Sequence, residues 1–170
     1  YIGQLGVQLQ SSDPKMLIYP PEIAEMAQAR ITKMSDLGGL TAMFFMNRIE
    51  GMTLERLRDG VKLEQDAQRA AYTIALQQFD GMIEWHRDGV EGTLRRTAEV
   101  LDAKLKDVIR PFYLAITGSA QGVPLFDAIT HLGRDIIRER LRHAMELLGP
   151  ATSKEVKAWT DLLTAPPKAE

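Results

Sequence analysis

Apolar residues recur through most of this chain at the three- and four-residue spacing of an α-helix. The pattern is clearest towards the C-terminal end, where an apolar row precedes Gly149-Pro150, a pair that ends helices. The row consists of Ile137, Leu141, Ala144, Met145 and Leu148. Only Phe112–Ile116 has the composition of a strand, and no second segment is suited to pair with it. The periodicity therefore predicts an all-α fold.

Capping residues, prolines and glycines predict where the helices begin and end. Pro20-Pro21-Glu22 predicts the start of a first helix, which continues to Met34. Ser35 or Asp36 can cap a second helix that ends near Phe44. Further helices are expected over residues 54–58, 63–79, 87–101, 124–132, 135–148 and 153–164, with one turn or a short helix over 104–109.

The composition excludes several classes of function. The chain has no cysteine, which excludes disulfides, thiol catalysis and cysteine-ligated metals, and its three histidines form no metal-binding pair. We therefore expect no metal site and no catalytic residue. No apolar run is long enough to span a bilayer, so we expect a cytoplasmic protein without a membrane partner. The start, YIGQLGVQLQ, lacks both an initiator methionine and the pattern of a signal peptide, which indicates a piece of a longer protein.

Two short stretches are similar to nucleotide-binding loops. KMSDL, at residues 33–37, lacks the second lysine of the ATP-binding loop of class I aminoacyl-tRNA synthetases, and its Met34 falls on an apolar helical stripe. We interpret it as a coincidence. TGSAQG, at residues 117–122, is followed by Val123 where a phosphate-binding loop requires lysine. It is either an ordinary connection or a loop whose free N–H groups face a phosphate or a base edge.

Four arginines stand out by position. Arg134, Arg138 and Arg142 recur every four residues and therefore lie on one side of the last strong helix. This row is either a solvated face or a surface that contacts an RNA backbone. Arg30 lies on the apolar side of the first helix, where it either pairs with an acid or points into a cleft. With a net charge of −2, the residues alone indicate an α-helical domain with a modest basic face.

Several segments together carry a family resemblance. They are EW at residues 84–85, LKDVIRPFYLAITG at 105–118, PLFDAITHLGRDIIRERL at 124–141 and, more weakly, ARITKMSDLGGLTAMFF at 29–45. From about Glu22 to Gly149 the chain resembles the C-terminal anticodon-binding region of bacterial-type glutamyl-tRNA synthetases. The resemblance implies two packed helical subdomains that form an anticodon-binding α-helix cage. It also implies an N-terminal catalytic domain of the same polypeptide, which uses ATP and Mg to ligate glutamate to the tRNA.

The expected organisation follows from this resemblance. Residues 1–46 are the first anticodon-binding subdomain, residues 47–149 are the second, and residues 150–170 are a C-terminal tail. We expect the fragment alone to be a catalytically inactive monomer without a cofactor, whose partner is the anticodon loop of tRNA-Glu. The alternative is an all-helical protein-interaction or regulatory domain that does not bind RNA.

The resemblance also implies the residues of the site. Arg30 matches an arginine that contacts the third anticodon base, and Leu125 matches a leucine beside the first anticodon base. Tyr113 stands where the family often has an arginine, and a tyrosine can stack on a splayed base although it loses the bidentate pairing. Arg134 and Arg138 are candidates for contacts with the tRNA backbone.

Overall fold

The computed structural model describes residues 41–164 together with residues 23, 25 and 26. The chain divides into two compact units, residues 1–46 and residues 47–170. In the first unit a 3₁₀-helix spans Ala42–Phe45, and its Met43 and Phe44 are buried. The helices expected between residues 20 and 40 lie outside the described residues, apart from the helical positions 23, 25 and 26.

The second unit consists of α-helices joined by short connections. They are α1 (Leu54–Arg58), α2 (Gln65–Gly81), α3 (Arg87–Val100), α4 (Leu105–Thr117), α5 (Leu125–Leu148) and α6 (Ser153–Thr164). Helix α2 packs against α3, α4, α5 and α6, and α4 packs along α5. The described residues form no strand, and the predicted all-α class is confirmed.

Polar side chains cap the starts of α1 and α3. The Thr53 hydroxyl accepts a hydrogen bond from the Arg56 amide at 3.2 Å at the start of α1. At the start of α3, the Nδ1 atom of His86 accepts from the Gly89 amide at 3.1 Å. Each cap satisfies a backbone donor that has no partner within its helix.

The core of the second unit is built around α2. Its buried side chains are Gln68, Ala70, Ala71, Tyr72, Ile74, Ala75, Leu76 and Phe79. The ring of Tyr72 meets the ring of Phe112 edge-on, with the centroids 5.1 Å apart. The Tyr72 hydroxyl donates to the carbonyl oxygen of Pro111 at 2.8 Å and accepts from the Gln68 amide at 2.9 Å. This buried polar group is therefore fully paired within the core.

The segment with strand composition, Phe112–Ile116, is helical. It forms the second half of α4, which is one helix from Leu105 to Thr117 rather than the short turn expected over residues 104–109. A helix satisfies its backbone groups within the segment, whereas a strand needs a partner. Most of this segment is apolar and buried between neighbouring helices, which explains its strand-like composition.

Helix α5 differs from the prediction, whereas α6 spans the predicted residues. The two helices expected over residues 124–132 and 135–148 join into α5, with a kink at Gly133, where φ is 79° and ψ is 165°. Helix α6 packs against α2 through Arg69, which donates to Glu155 at 2.9 Å and to the Pro150 carbonyl at 2.8 Å. The Arg69 guanidinium also lies 5.9 Å from the centre of the Trp159 ring.

Arg140 is the largest of the fully buried side chains. Its guanidinium donates to the carbonyl oxygen of Ile116 and, at 3.2 Å, to that of Asn47. Burial lowers the pKa of Arg140 to about 10, and the group is therefore still charged at neutral pH. It fixes the C-terminal end of α4 to α5 and to the segment that begins the second unit.

Gly118 ends α4 in a conformation that only glycine adopts without strain. Its φ is 75°, in the left-handed region, and its amide donates to the Leu114 carbonyl at 3.0 Å. A Cβ atom at this position would lie 2.6 Å from Cγ2 of Ile49. Both the dihedral angle and the close approach of Ile49 require glycine here.

We expect Gly118→Ala to lower the free energy of unfolding by about 2–4 kcal/mol, because it adds left-handed strain and a clash with Ile49. Gly92→Ala is the matched control. Gly92 lies within α3, and a Cβ there meets nothing within 4 Å, so alanine should raise the free energy of unfolding by about 0.5–1 kcal/mol. Urea unfolding of the two variants measures both changes. Equal effects of the same sign would contradict this account of Gly118.

Candidate nucleic-acid interface

The loop between α4 and α5 is anchored at both ends. At its start, the Arg56 Nη2 atom donates to the carbonyl oxygen of Gly118 at 3.3 Å. At its end, the Tyr113 hydroxyl donates to the carbonyl oxygen of Val123 at 3.2 Å. Within the loop, the Ser119 and Gln121 amides donate to side-chain hydroxyls at 3.3 Å. The loop is thus a positioned surface that joins two helices.

A polar groove of about 870 Å³ lies between α1, α4 and this loop. Its lining residues are Glu55, Arg56, Asp59, Arg110, Leu114 and Gly118–Gln121. Two arginines and two carboxylates therefore share the groove. Arg56 is fixed there, because its Nη1 atom also donates to the Gly51 carbonyl at 2.7 Å. Such a surface suits a ligand that has both anionic groups and hydrogen-bonding edges.

The structure brings two of the predicted base-reading residues to the same loop. Tyr113 is half-buried on α4, and its bond to Val123 places it beside the residues that precede α5. Leu125 is the first residue of α5, and its side chain is only 4% exposed. Leu125 therefore supports the loop from within. Arg30 lies outside the described residues.

Arg134 and Arg138 are both engaged in contacts within the unit. The Arg134 guanidinium donates to the Met82 carbonyl and lies 5.7 Å from the centre of the Trp85 ring. Arg138 donates to the Asp80 carboxylate at 2.6 Å and to Asp135 at 3.0 Å. The hydrogen bond to Asp80 raises the pKa of Arg138. These bonds tie α5 to the end of α2, and the role of the two arginines at an RNA backbone stays a prediction.

Arg142, the third arginine of the row, differs from the other two. Its side chain is exposed and has no polar partner in the part of the chain that the structure describes. The helical spacing therefore predicts a shared face correctly, but the three guanidinium groups are not equally available to a ligand.

Three residues that shape the site were not predicted to do so. Arg56, Arg110 and Gly118 act through contacts with residues that are distant in the sequence, such as Arg56 with Gly118 and Arg110 with Asp59. The local sequence around the two arginines does not predict such contacts. For Gly118 a signal exists, because a glycine directly after a helical apolar run is typical of a left-handed helix end.

The all-α fold and the polar groove beside an anchored loop define a helical binding domain. The family described as the anticodon binding domain matches residues 10–145 of this chain. The match spans most of the 170 residues, and the chain belongs to the anticodon-binding domain family.

The curated relatives of the chain are glutamate–tRNA ligases. It is 34% identical over 162 residues to the glutamate–tRNA ligase of Pseudomonas paraeruginosa (strain DSM 24068 / PA7), covering 95% of this chain and 32% of that protein. It is 33% identical over 147 residues to the enzyme of Pseudomonas fluorescens (strain Pf0-1), covering 86% of this chain and 29% of that protein. The chain thus spans about a third of these relatives and is homologous to that part of them.

A solved structure shares the fold. The crystal structure of a glutamate tRNA ligase from Elizabethkingia meningosepticum CCUG26117, in complex with its amino acid, matches with a TM-score of 0.67 at 15% identity. The match covers 86% of this chain and 28% of that chain. None of these comparisons favours the alternative of a helical protein-interaction domain without RNA binding.

We expect Tyr113→Phe to loosen the loop more than the fold. The substitution removes the hydrogen bond to Val123, which we expect to contribute about 0.5–1.5 kcal/mol. Hydrogen exchange of the amides at residues 119–123 should accelerate, whereas amides in the middle of α2 should exchange at the wild-type rate apart from that small global change. Unchanged exchange in the loop would show that the Tyr113 hydroxyl does not anchor it.

Proposed function

We propose that this chain reads the anticodon loop of tRNA-Glu for a catalytic domain of the same polypeptide, which ligates glutamate to that tRNA. The observation that supports the proposal most strongly is the groove beside the anchored α4–α5 loop in a chain of the anticodon-binding domain family. The relatives that it matches are themselves glutamate–tRNA ligases. We further propose that the domain acts as a monomer in the cytoplasm.

The chemistry of an anticodon loop fits the two kinds of surface that this region offers. Single-stranded loop bases are read when they are splayed out, stacked on aromatic side chains and hydrogen-bonded along their edges. Tyr113 supplies a ring beside the loop, with its hydroxyl committed to Val123. Leu125 supplies a buried apolar support for the wall of a base pocket.

We propose a third base contact for Arg30. Its guanidinium would hydrogen-bond to the edge of the third anticodon base and reject a base that offers no matching acceptor. Arg134 and Arg138 would add backbone contacts in the middle of α5, where phosphates would compete with Asp80 and Asp135 for the Arg138 guanidinium. Base contacts give selectivity, and backbone contacts give affinity without sequence preference.

We propose that ATP and Mg act in the catalytic domain of the parent polypeptide and not in this chain. The TGSAQG loop has Val123 where a phosphate-binding loop has lysine. No group of His, Asp or Glu side chains in the described ranges is arranged to hold a metal ion. As a separate finding, none of the helices in these ranges is long and apolar enough to cross a membrane. We therefore assign ATP, Mg and the ligation chemistry to the catalytic domain of the parent polypeptide.

Binding to a tRNA-Glu anticodon stem-loop tests the proposal. We expect the chain to bind this RNA more tightly than a stem-loop of the same length with a scrambled loop. Arg30→Ala and Tyr113→Ala should each weaken binding by about ten-fold or more, as expected for the loss of a base contact worth about 1–3 kcal/mol. The measurement is fluorescence anisotropy with a labelled RNA at several salt concentrations.

Arg95→Gln serves as the control for a general loss of positive charge. Arg95 is an exposed residue of α3 that pairs with Glu91. The Arg95→Gln variant should bind the stem-loop nearly as tightly as wild type. If wild type and Arg30→Ala bind the stem-loop equally, and no better than the scrambled loop, the anticodon assignment is wrong.

A further inference from the structure

A second, smaller depression lies beside the groove, with a volume of about 240 Å³. Its lining residues are Gly60, Lys62, Lys106, Asp107 and Arg110. Three cationic side chains therefore face one carboxylate, whereas in the larger groove two arginines are balanced by two acids. The volume is about eight times the ~30 Å³ that a water molecule occupies in the liquid. The depression is more basic than the groove.

Arg110 is held in place at the edge of this depression. Its Nε atom donates to the Asp59 carbonyl at 2.9 Å, and its Nη2 atom lies 3.4 Å from the Asp59 carboxylate. Gly60 has a φ of +60°, and a Cβ there would lie 2.5 Å from Nη2 and 2.8 Å from Cζ of Arg110. The missing side chain of Gly60 thus makes the space in which the guanidinium sits.

The remaining donors are available for a ligand. The Nη1 atom of Arg110 and the Nζ atom of Lys106 have no polar partner in the described part of the chain. Lys62 is 73% exposed and reaches only to 4.0 Å from the Asp107 carboxylate. A fixed guanidinium beside two exposed ammonium groups is suited to a phosphate, which accepts several charge-assisted hydrogen bonds at once.

Arg110 lines both the depression and the larger groove. A nucleic-acid strand that entered the groove would therefore have a basic contact at the boundary between the two surfaces. Arg138 differs from Arg110, because its guanidinium already donates to two carboxylates.

We infer that Arg110, Lys62 and Lys106 form a phosphate-binding site, the Arg110 site, which contacts the RNA backbone of the same ligand that the α4–α5 loop reads. The inference rests on the proposed function for the identity of that ligand. A backbone contact contributes affinity and a dependence on salt, but it carries no sequence information. The Arg110 site therefore acts on cognate and scrambled loops alike.

Substitutions at the Arg110 site separate its contribution from base reading. We expect Arg110→Gln to weaken binding of the tRNA-Glu anticodon stem-loop by about ten-fold and to reduce the slope of log K against log salt by about 0.7–0.9. Arg95→Gln removes the same charge elsewhere and should change binding by about two-fold or less. Circular dichroism and urea unfolding verify that each variant is folded.

Two further variants test the site while Arg110 is retained. Lys106→Gln changes an exposed side chain and should weaken binding of the stem-loop by about three-fold. Its control, Lys157→Gln on α6, should leave the binding of the stem-loop unchanged. Gly60→Ala retains every charge but displaces the Arg110 guanidinium. It should weaken binding in the same direction as Arg110→Gln without changing the net charge.

The outcomes distinguish this inference from the proposed function. If Arg110→Gln, Gly60→Ala and Lys106→Gln all keep the affinity and salt slope of wild type, the inferred phosphate site is wrong. A preference of wild type for the cognate loop would still support the proposed function. If wild type shows no preference for the cognate loop but Arg110→Gln weakens binding to both loops, the proposed anticodon reading is wrong and the inference of a phosphate site at Arg110 is supported. If wild type binds neither RNA, both fail.

Discussion

The fold of the second unit depends on one buried charge. Arg140 sits in the core with its guanidinium directed at the carbonyl oxygens of Ile116 and Asn47. An arginine is costly to bury, and carbonyl oxygens at the end of a helix are the acceptors that offset this cost. Three segments therefore meet at one side chain: the entry to the unit, the end of α4 and the middle of α5. The α4–α5 loop leaves α4 immediately after that point, at Gly118.

The two ends of the α4–α5 loop are held by specific contacts, although the groove beside the loop is polar and open to solvent. Gly118 turns the chain in the left-handed conformation, and Arg56 and Tyr113 then secure the two ends of the loop. A site held in advance loses little conformational entropy when a ligand binds. The basic side chains differ in how many of their donors are left for a ligand. Arg134 and Arg138 donate to groups of α2 and of the residues after it. Arg110 and Lys106 keep donors that have no polar partner among the described residues.

Much of the fold could be predicted from local patterns, but little of the site could. Prolines, glycines and apolar rows in the sequence place α1, α3 and the second part of α5 nearly where they are found. Phe112–Ile116 was ambiguous because a buried helix and a buried strand have the same apolar composition. Arg56 and Arg110 could not be assigned, because their partners lie 62 and 51 residues away in the sequence. Tyr113 and Leu125 came from family resemblance rather than from periodicity.

The central claim is that the α4–α5 loop, fixed by Gly118 and Tyr113, is the surface that binds the anticodon loop. Hydrogen exchange of the chain with and without the tRNA-Glu anticodon stem-loop tests it most directly. The account predicts slower exchange at residues 119–123 on binding, and unchanged exchange in α6, which packs on α2 and α3 and does not line the groove. Protection of α6 with no change in the loop would contradict the account.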